Sequence, residues 1–375
     1  MTPRRDNYRV AALSIVKHAY LPNGVIHHPR FELVVVADDA DQPDWVHERN
    51  ELYAREHGVP YVRDVEKAIA DHGIQVAVVS SQAERHCALS ARAADAGCHV
   101  IQDKPMSTRL SECDRAVEAV ERNQVKFLMW NRNFLPAIVE ARQALERGDV
   151  GDPYAFHADF YFSKDVGPPK GSRKPGERPA NWLEFQKAAH VDGSDGGVGV
   201  EPLGELGIEG CYPLAYLAFL SGLPVRRVFA QTTAHFHQLY VDNDVEDLAT
   251  VTLEMDGGVV GSVALGRIGA ASHPEIGEIK LHILGSEGAL VVSEARPEVG
   301  IYYRDQPPAE FKNQRILDVE NDYWLADDFA RAIDTNGDTI LNVRTSRAIT
   351  ATVQAALESG RSGRVVEVRQ RGARE

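Results

Sequence analysis

Cysteine, aromatic side chains, positive charge and long apolar runs are all scarce in this chain of 375 residues. The four cysteines, Cys87, Cys98, Cys113 and Cys211, form no C-x-x-C pair, which excludes a zinc knuckle and a dithiol redox motif. Scattered thiols of this kind read as buried small hydrophobes in a reducing cytoplasm. Lysine and arginine number 41 against 55 aspartates and glutamates, a formal net charge of −14. So acidic a chain disfavours nucleic acid as a partner, although a local anion site stays open. No apolar run approaches the roughly 20 residues that span a bilayer. The opening MTPRRDNYRV leads into no signal-like stretch. The expectation is a soluble cytoplasmic protein with no membrane partner. No G-x-S-x-G elbow is present, so no Ser-His-Asp hydrolase can be read. His235-x-His237, and His157 with Asp159, use ligand-type residues, but no third ligand accompanies either pair. The expectation is structural histidines and no metal.

What is present is an ordinary globular balance, 43% hydrophobic and 26% charged, with length enough for two cores. Apolar runs at Val10–Ile15, Phe31–Ala37, Ile74–Val79, His99–Gln102 and Val125–Trp130 read as strands. Between them, Pro43–His57, Glu84–Ala96 and Ser107–Asn123 read as helices, with Gly97 as a C-terminal stop and Ser107 as an N-cap. Strands alternating with helices imply crossovers and a parallel sheet. The second half changes character. Tyr154–Ser163, Val225–Thr233, Leu248–Met255, Val259–Leu265, Ile279–Leu284 and Ala289–Val292 read as strands, with a hairpin turn at Asp256-Gly257-Gly258. Helices are expected at Gly210–Leu220, Asp322–Asp334 and Arg344–Ser359, and a long functional loop at 164–197. The fold class is therefore α/β. A Rossmann-like, doubly wound parallel sheet over 1–130 is followed by an α+β domain over 131–375 with a large, mostly antiparallel open sheet. The terminal helices are candidates to pack back on the first domain.

Asp103-Lys104-Pro105 follows a strand at its carboxyl end, where open α/β sheets bind ligands. Pro105 biases Lys104 toward extended geometry. A lysine aimed into a cleft can exchange a proton with a substrate hydroxyl. An exposed turn with a solvated lysine fits the tripeptide as well.

The stretch VAVVSSQAERHCALSARAADAGCHVIQDKPMS carries more. It resembles the central signature of the glucose–fructose oxidoreductase, inositol dehydrogenase and MocA family. His86 matches the helix histidine. Ala93, Ala94, Ala96, Gly97, His99 and Val100 match the next block, and Asp103-Lys104-Pro105 stands for Glu-Lys-Pro. MWNRNFLPAIVEARQALERGDVGDPYAF, GCYPLAYLAFLSGLPVRRV and ESGRSGRVVEV extend the likeness over nearly the whole chain.

The resemblance implies a nicotinamide dinucleotide in the first domain and hydride transfer at a secondary alcohol or ketone of a sugar, cyclitol or related polyol. It implies catalytic roles for Lys104 and for Tyr212 on the substrate-domain helix. It puts Ser14, Ile15, Val16, Asp38, Ser80, Ser81, Asp103 and Lys104 at the cofactor, with Asp38 favouring NAD over NADP. Asn131, Arg132, Trp182 and Tyr212 are the candidates for lining the substrate site. It also implies a homo-oligomer, a dimer or tetramer.

Two departures qualify these expectations. The first turn, Ala12 to His18, has no glycine, and none occurs before Gly24, whereas dinucleotide turns usually read G-x-G-x-x-G. Lys17 or His18 could compensate with charge. The aspartate expected two residues before Gly210 is Ile208, with Glu201, Glu205 and Glu209 as nearby carboxylates. Two further readings thus stay open. One is a redox-neutral elimination or epimerisation with retained NAD; the other is a cofactor-free binding or regulatory relative.

Overall fold

A computed structural model describes residues 7–16, 18–162, 203–235, 238–267, 279–294, 298–303, 307, 309–312 and 318–371. Lys17, Trp182, Glu201, His237 and the segment 164–197 lie outside the described residues. The chain divides into two compact units, the first taking residues up to 132 and 318–350, the second taking most of the rest.

The first unit begins with β1 (Tyr8–Leu13), α1 (Tyr20–His27), β2 (Phe31–Ala37), α2 (Asp44–Glu56), β3 (Tyr61–Val62) and α3 (Val65–His72). It continues with β4 (Val76–Val79), α4 (His86–Asp95), β5 (His99–Gln102), α5 (Leu110–Arg122) and β6 (Phe127–Met129). The strands form one sheet in the order β3-β2-β1-β4-β5-β6, every pairing parallel. The apolar runs Val10–Leu13 of β1 and Val76–Val79 of β4 follow from this, because a parallel sheet is covered on both faces. The order reverses beside β1, which creates the crevice at the strands' carboxyl ends. Gly97 ends α4 with φ 83°, the left-handed stop expected of it. Ser107 is not the N-cap of α5. The helix starts three residues later, behind Arg109, and the Ser107 hydroxyl accepts the Arg109 N–H at 3.2 Å.

The second unit holds α6 (Pro136–Arg147), β7 (Pro153–Phe162), α7 (Glu205–Glu209), α8 (Cys211–Ser221), β8 (Val225–Thr233) and α9 (Gln238–Asp242). Then come β9 (Leu248–Met255), β10 (Val260–Arg267), β11 (Ile279–Gly285), β12 (Gly288–Ser293), β13 (Glu298–Tyr303) and β14 (Ala309–Lys312). Asp256–Gly258 makes the tight turn between β9 and β10, with Gly257 and Gly258 both at positive φ. Two helices close the chain, α10 (Asp318–Thr335) and α11 (Val343–Ser362), before β15 (Val366–Glu367). The second sheet runs β14-β13-β12-β11-β7-β10-β9-β8-β15. It is antiparallel except between β7 and β10. One face carries Phe156, Ala158, Phe160, Val251 and Leu281, all buried. The other carries the exposed Tyr161, Phe229, Val260, Leu284, Val291 and Tyr302.

Gly24 explains itself by packing. A Cβ there would lie 2.9 Å from Asp322 Oδ2 and 3.0 Å from the Trp130 ring, so α1 meets α10 through a glycine.

Candidate active site

The parallel strands of the first sheet all end at one edge, and four expected site residues, Ser14, Asp38, Ser80 and Asp103, follow them directly. Asp103 N–H donates to Val79 O at 2.9 Å, so the loop after β5 starts in register with β4. The Asp103 carboxylate is buried. Its Oδ1 accepts the Lys104 N–H at 2.8 Å and the Tyr20 hydroxyl at 3.2 Å, while Oδ2 lies 2.6 Å from His18 Nδ1. Burial pushes this carboxyl up, but the charges of His18, His86 and Lys104 outweigh it and hold it down to about 2. Asp103 is thus an ionised acceptor that clamps the loop.

Lys104 is itself only 4% exposed, which disposes of the solvated-turn alternative. The Lys104–Pro105 peptide bond is cis. The His86 ring sits between two carbonyl oxygens, Pro105 O at 2.8 Å from Nδ1 and Ser81 O at 3.0 Å from Nε2. Gln102 Nε2 donates to Met106 O at 2.8 Å, and Ser90 donates to Gln102 Oε1 at 2.8 Å. The lysine loop is therefore braced from α4, β4 and β5 at once.

The glycine-poor turn keeps a glycine-type backbone. Ser14 stands at φ 55°, in the left-handed region, and is fully buried. The amides of Ser14, Ile15 and Val16 donate to Ala37 O (2.9 Å), Asn50 Oδ1 (2.8 Å) and Ser80 O (3.1 Å). The Ser80 hydroxyl donates to His18 O at 2.6 Å. These three amides thus fix the turn to β2, α2 and β4. Asp38, after β2, is fully buried, and its Oδ2 meets no donor among the described residues. An orphaned buried carboxylate oxygen here fits the ribose hydroxyls of a dinucleotide. The residues present therefore fit the group that the resemblance implies: Asp38 would hold the ribose, and the turn at Ser14 would pass beneath the pyrophosphate.

Asn131 and Arg132 follow β6 at the same edge. Asn131 is buried; its Oδ1 accepts the Arg132 N–H at 2.8 Å, and its carbonyl accepts from Asn321 Nδ2 at 3.1 Å. Ser81 is buried, its hydroxyl donating to Gln82 O at 3.0 Å.

Tyr212 belongs to the second unit, in the first turn of α8, half-buried and edge-on to Phe160 with ring centroids 6.1 Å apart. The helix expected over Gly210–Leu220 is preceded by the separate short α7. Ile208, in the place of the family aspartate, is fully buried. Glu205 pairs with Arg267 (Nε–Oε1 2.6 Å, Nη2–Oε2 3.0 Å) and accepts the Tyr240 hydroxyl; all three are buried. Burial nevertheless pushes Glu205 up. Glu205 is thus committed to an internal ion pair. His157 Nδ1 lies 2.8 Å from Ser262 Oγ, and His235 Nε2 2.9 Å from Thr233 Oγ1.

Sequence reasoning missed Arg85. Its guanidinium donates to Asp38 Oδ1 and Asp39 Oδ2, both at 2.9 Å, and to Gln42 Oε1 at 2.6 Å. The adjacent acids Asp38-Asp39 were a signal that a cation must stand nearby. Arg85 and Arg92, seven residues apart on and before one helix, are those cations.

Two family models match the chain. "Oxidoreductase family, NAD-binding Rossmann fold" covers residues 14–131, and "GFO/IDH/MocA C-terminal domain" covers 138–291. Among curated relatives, the scyllo-inositol 2-dehydrogenase (NAD(+)) of Bacillus subtilis is 24% identical over 295 residues, 76% of this chain and 73% of that protein. Inositol 2-dehydrogenase 1 of Saccharopolyspora erythraea is 32% identical over 128 residues, 33% of this chain and 36% of that protein. Among solved structures, a levoglucosan dehydrogenase in complex with NADH superposes with TM-score 0.79 at 20% identity, covering 97% of this chain and 100% of that one. An Agrobacterium radiobacter oxidoreductase in complex with NAD+, L-tartaric acid and magnesium gives TM-score 0.79 at 17% identity, covering 96% and 98%. At such identities the structures speak for the fold, while the two family models together take in more than half of the sequence. The chain belongs to the Gfo/Idh/MocA family of oxidoreductases, and its first unit contains that family's NAD-binding Rossmann domain.

Proposed function

We propose that this protein is an NAD-dependent dehydrogenase acting on a secondary alcohol of a sugar, cyclitol or related polyol, or on the corresponding ketone. The observation that carries the reading is Lys104, a buried lysine on a loop clamped by an ionised Asp103 at the carboxyl edge of the parallel sheet. The bound dinucleotide supplies the hydride acceptor. Lys104, from the first unit, and Tyr212, from the second, are the groups proposed to take part in transfer of the hydroxyl proton. Ser14, Ile15, Val16, Asp38, Ser80, Ser81, Asp103 and Lys104 are the residues proposed to border the dinucleotide. Asn131, Arg132, Trp182 and Tyr212 stay the candidates for contacting the polyol, on the chemistry of their side chains: arginine and asparagine bond hydroxyls and tryptophan offers a flat apolar face.

The named relatives act on inositols and levoglucosan, which supports the substrate class. The test is a panel of polyols and sugars with NAD+, following NADH by absorbance, while a separate portion of the purified protein is denatured to look for released NAD(H). Net NADH formation from a polyol supports the reading. Retained cofactor without net NADH favours transient oxidation instead, and absence of dinucleotide binding overturns both.

We further propose a homo-oligomer joined through the open face of the second sheet, where Tyr161, Phe229, Val260, Leu284, Val291 and Tyr302 are exposed. Light scattering of Val260→Lys against the parent tests it; an unchanged mass that is already monomeric defeats it. The four cysteines are free and buried, which supports a cytoplasmic location.

A further inference from the structure

Asp38 uses its two oxygens differently. Oδ1 accepts the Asp39 N–H at 2.8 Å and Arg85 Nη2 at 2.9 Å; Oδ2 meets no donor among the described residues. Arg85 is itself fixed from three directions. Nη1 donates to Gln42 Oε1 at 2.6 Å and, at 3.3 Å, to Gln82 Oε1 and Ser14 Oγ. Asp39 does not depend on Arg85 alone, since Arg92 Nη1 and Nη2 hold its two oxygens at 2.8 Å. The charge that balances Arg85 is therefore chiefly that of Asp38.

We propose that Arg85 is the positioning residue that sets cofactor selection, locking Asp38 Oδ1 so that Oδ2 faces a ribose hydroxyl, and that the same guanidinium is a 2′-phosphate site masked by Asp38. The inference rests on the reading that the β1–β2 edge takes the adenosine ribose. With Asp38 in place, a 2′-phosphate meets a buried carboxylate and a guanidinium already neutralised. With the carboxylate removed, the fork of Arg85 is left to bind phosphate in two-pronged fashion, and Ser14 Oγ and the Gln82 amide add polar atoms beside it. Arg92 continues to satisfy Asp39.

The test is calorimetric, with NAD+ and NADP+ titrated separately into the full-length parent, Asp38→Ser, Arg85→Gln and the double variant. Asp38→Ser is expected to weaken NAD+ about tenfold or more and to tighten NADP+ by a comparable factor. Arg85→Gln is expected to weaken NAD+ several-fold while leaving NADP+ no tighter, and in the double variant the gain for NADP+ disappears. Parent-like NAD+ affinity in Arg85→Gln, or a gain for NADP+ that survives in the double variant, overturns the inference while leaving the ribose site standing. If Asp38→Ser changes neither affinity, the reading of the edge falls first. Should Arg85→Gln not give a cooperative melt, Arg85→Lys replaces it, keeping charge but not the fork. It too must weaken NAD+, and parent-like affinity in it overturns the proposal.

Discussion

His18 Nδ1 stands 2.6 Å from Asp103 Oδ2, so the turn that lacks glycine and the loop that carries Lys104 are joined by one short contact. Asp103 has a native value of about 2 against an ordinary value near 4. A carboxylate depressed in this way contributes stability above pH ~4, and that contribution is lost as pH falls toward 2. His18→Phe removes the main opposing charge, so its Asp103 value rises. The expected result is a lower stability plateau, by about 1–3 kcal/mol, and a smaller drop between pH 4 and 2. Urea midpoints of parent and variant from pH 2 to 6 decide it; parallel curves would count against the contact.

Lys104→Met and Tyr212→Phe are each expected to lower the single-turnover rate of hydride transfer by about 10²–10⁴, the usual share of a positioned acid or base. Tyr212→Phe should leave NAD+ affinity within about threefold, whereas Lys104→Met, at a position expected to border the cofactor, should weaken it further. If the two act as one relay, the double variant is no slower than the slower single one. Full additivity of the two losses would mean that they serve separate steps.

Glu205 and Arg267 form a buried ion pair with Tyr240 as a third member. Glu205→Gln takes away the nearer carboxylate of a buried guanidinium, leaving Glu209 at 3.7 Å, and is expected to cost on the order of 3 kcal/mol. Glu205→Leu with Arg267→Met removes both charges and should cost less than the single change. Denaturant melts at constant pH compare them, and a double variant weaker than the single would be inconsistent with this account.

Glu246 accepts the Leu206 N–H at 3.0 Å, yet burial raises its carboxyl to about 7. The folded state therefore holds a proton that the unfolded chain has released above pH ~4.5. That contribution to stability is complete below pH ~4.5 and is lost as pH rises through 7. Glu246→Gln cannot ionise, so its stability relative to the parent should rise from pH 5 to pH 8 by on the order of 1–3 kcal/mol. Thermal melts across that range test it, and a constant difference rejects the assignment.

The parallel sheet was legible because its strands are mostly apolar and bounded by turn residues, as at Phe31–Ala37 and Ile74–Val79. The lysine loop was legible because a strand end, a lysine and a proline coincide. Short elements were not. Strands β3 and β15, two residues each, carry no periodicity, and α1 hides a proline and a glycine in eight residues. The absent glycines were read as an obstacle to the turn. Ser14 shows that the left-handed backbone can be held without glycine, because Ala37 O and Asn50 Oδ1 fix the amides on either side. Arg85 and the Glu205–Arg267 pair join residues 47 and 62 positions apart, and such partners leave no local trace.

The first unit takes back residues 318–350, and this has a consequence for the order in which the protein is made. Met129 N–H donates to Leu341 O at 3.1 Å, and the Thr339 hydroxyl donates to Phe127 O at 2.6 Å, so the outer edge of β6 is covered by chain synthesised 212 residues later. Gly24 likewise waits for Asp322. Until then the nascent sheet presents an unsheltered margin of peptide groups, the kind of surface on which chains stick to one another. The vulnerable interval in the life of this protein lies in its synthesis, between the emergence of the sixth strand and the arrival of its cover.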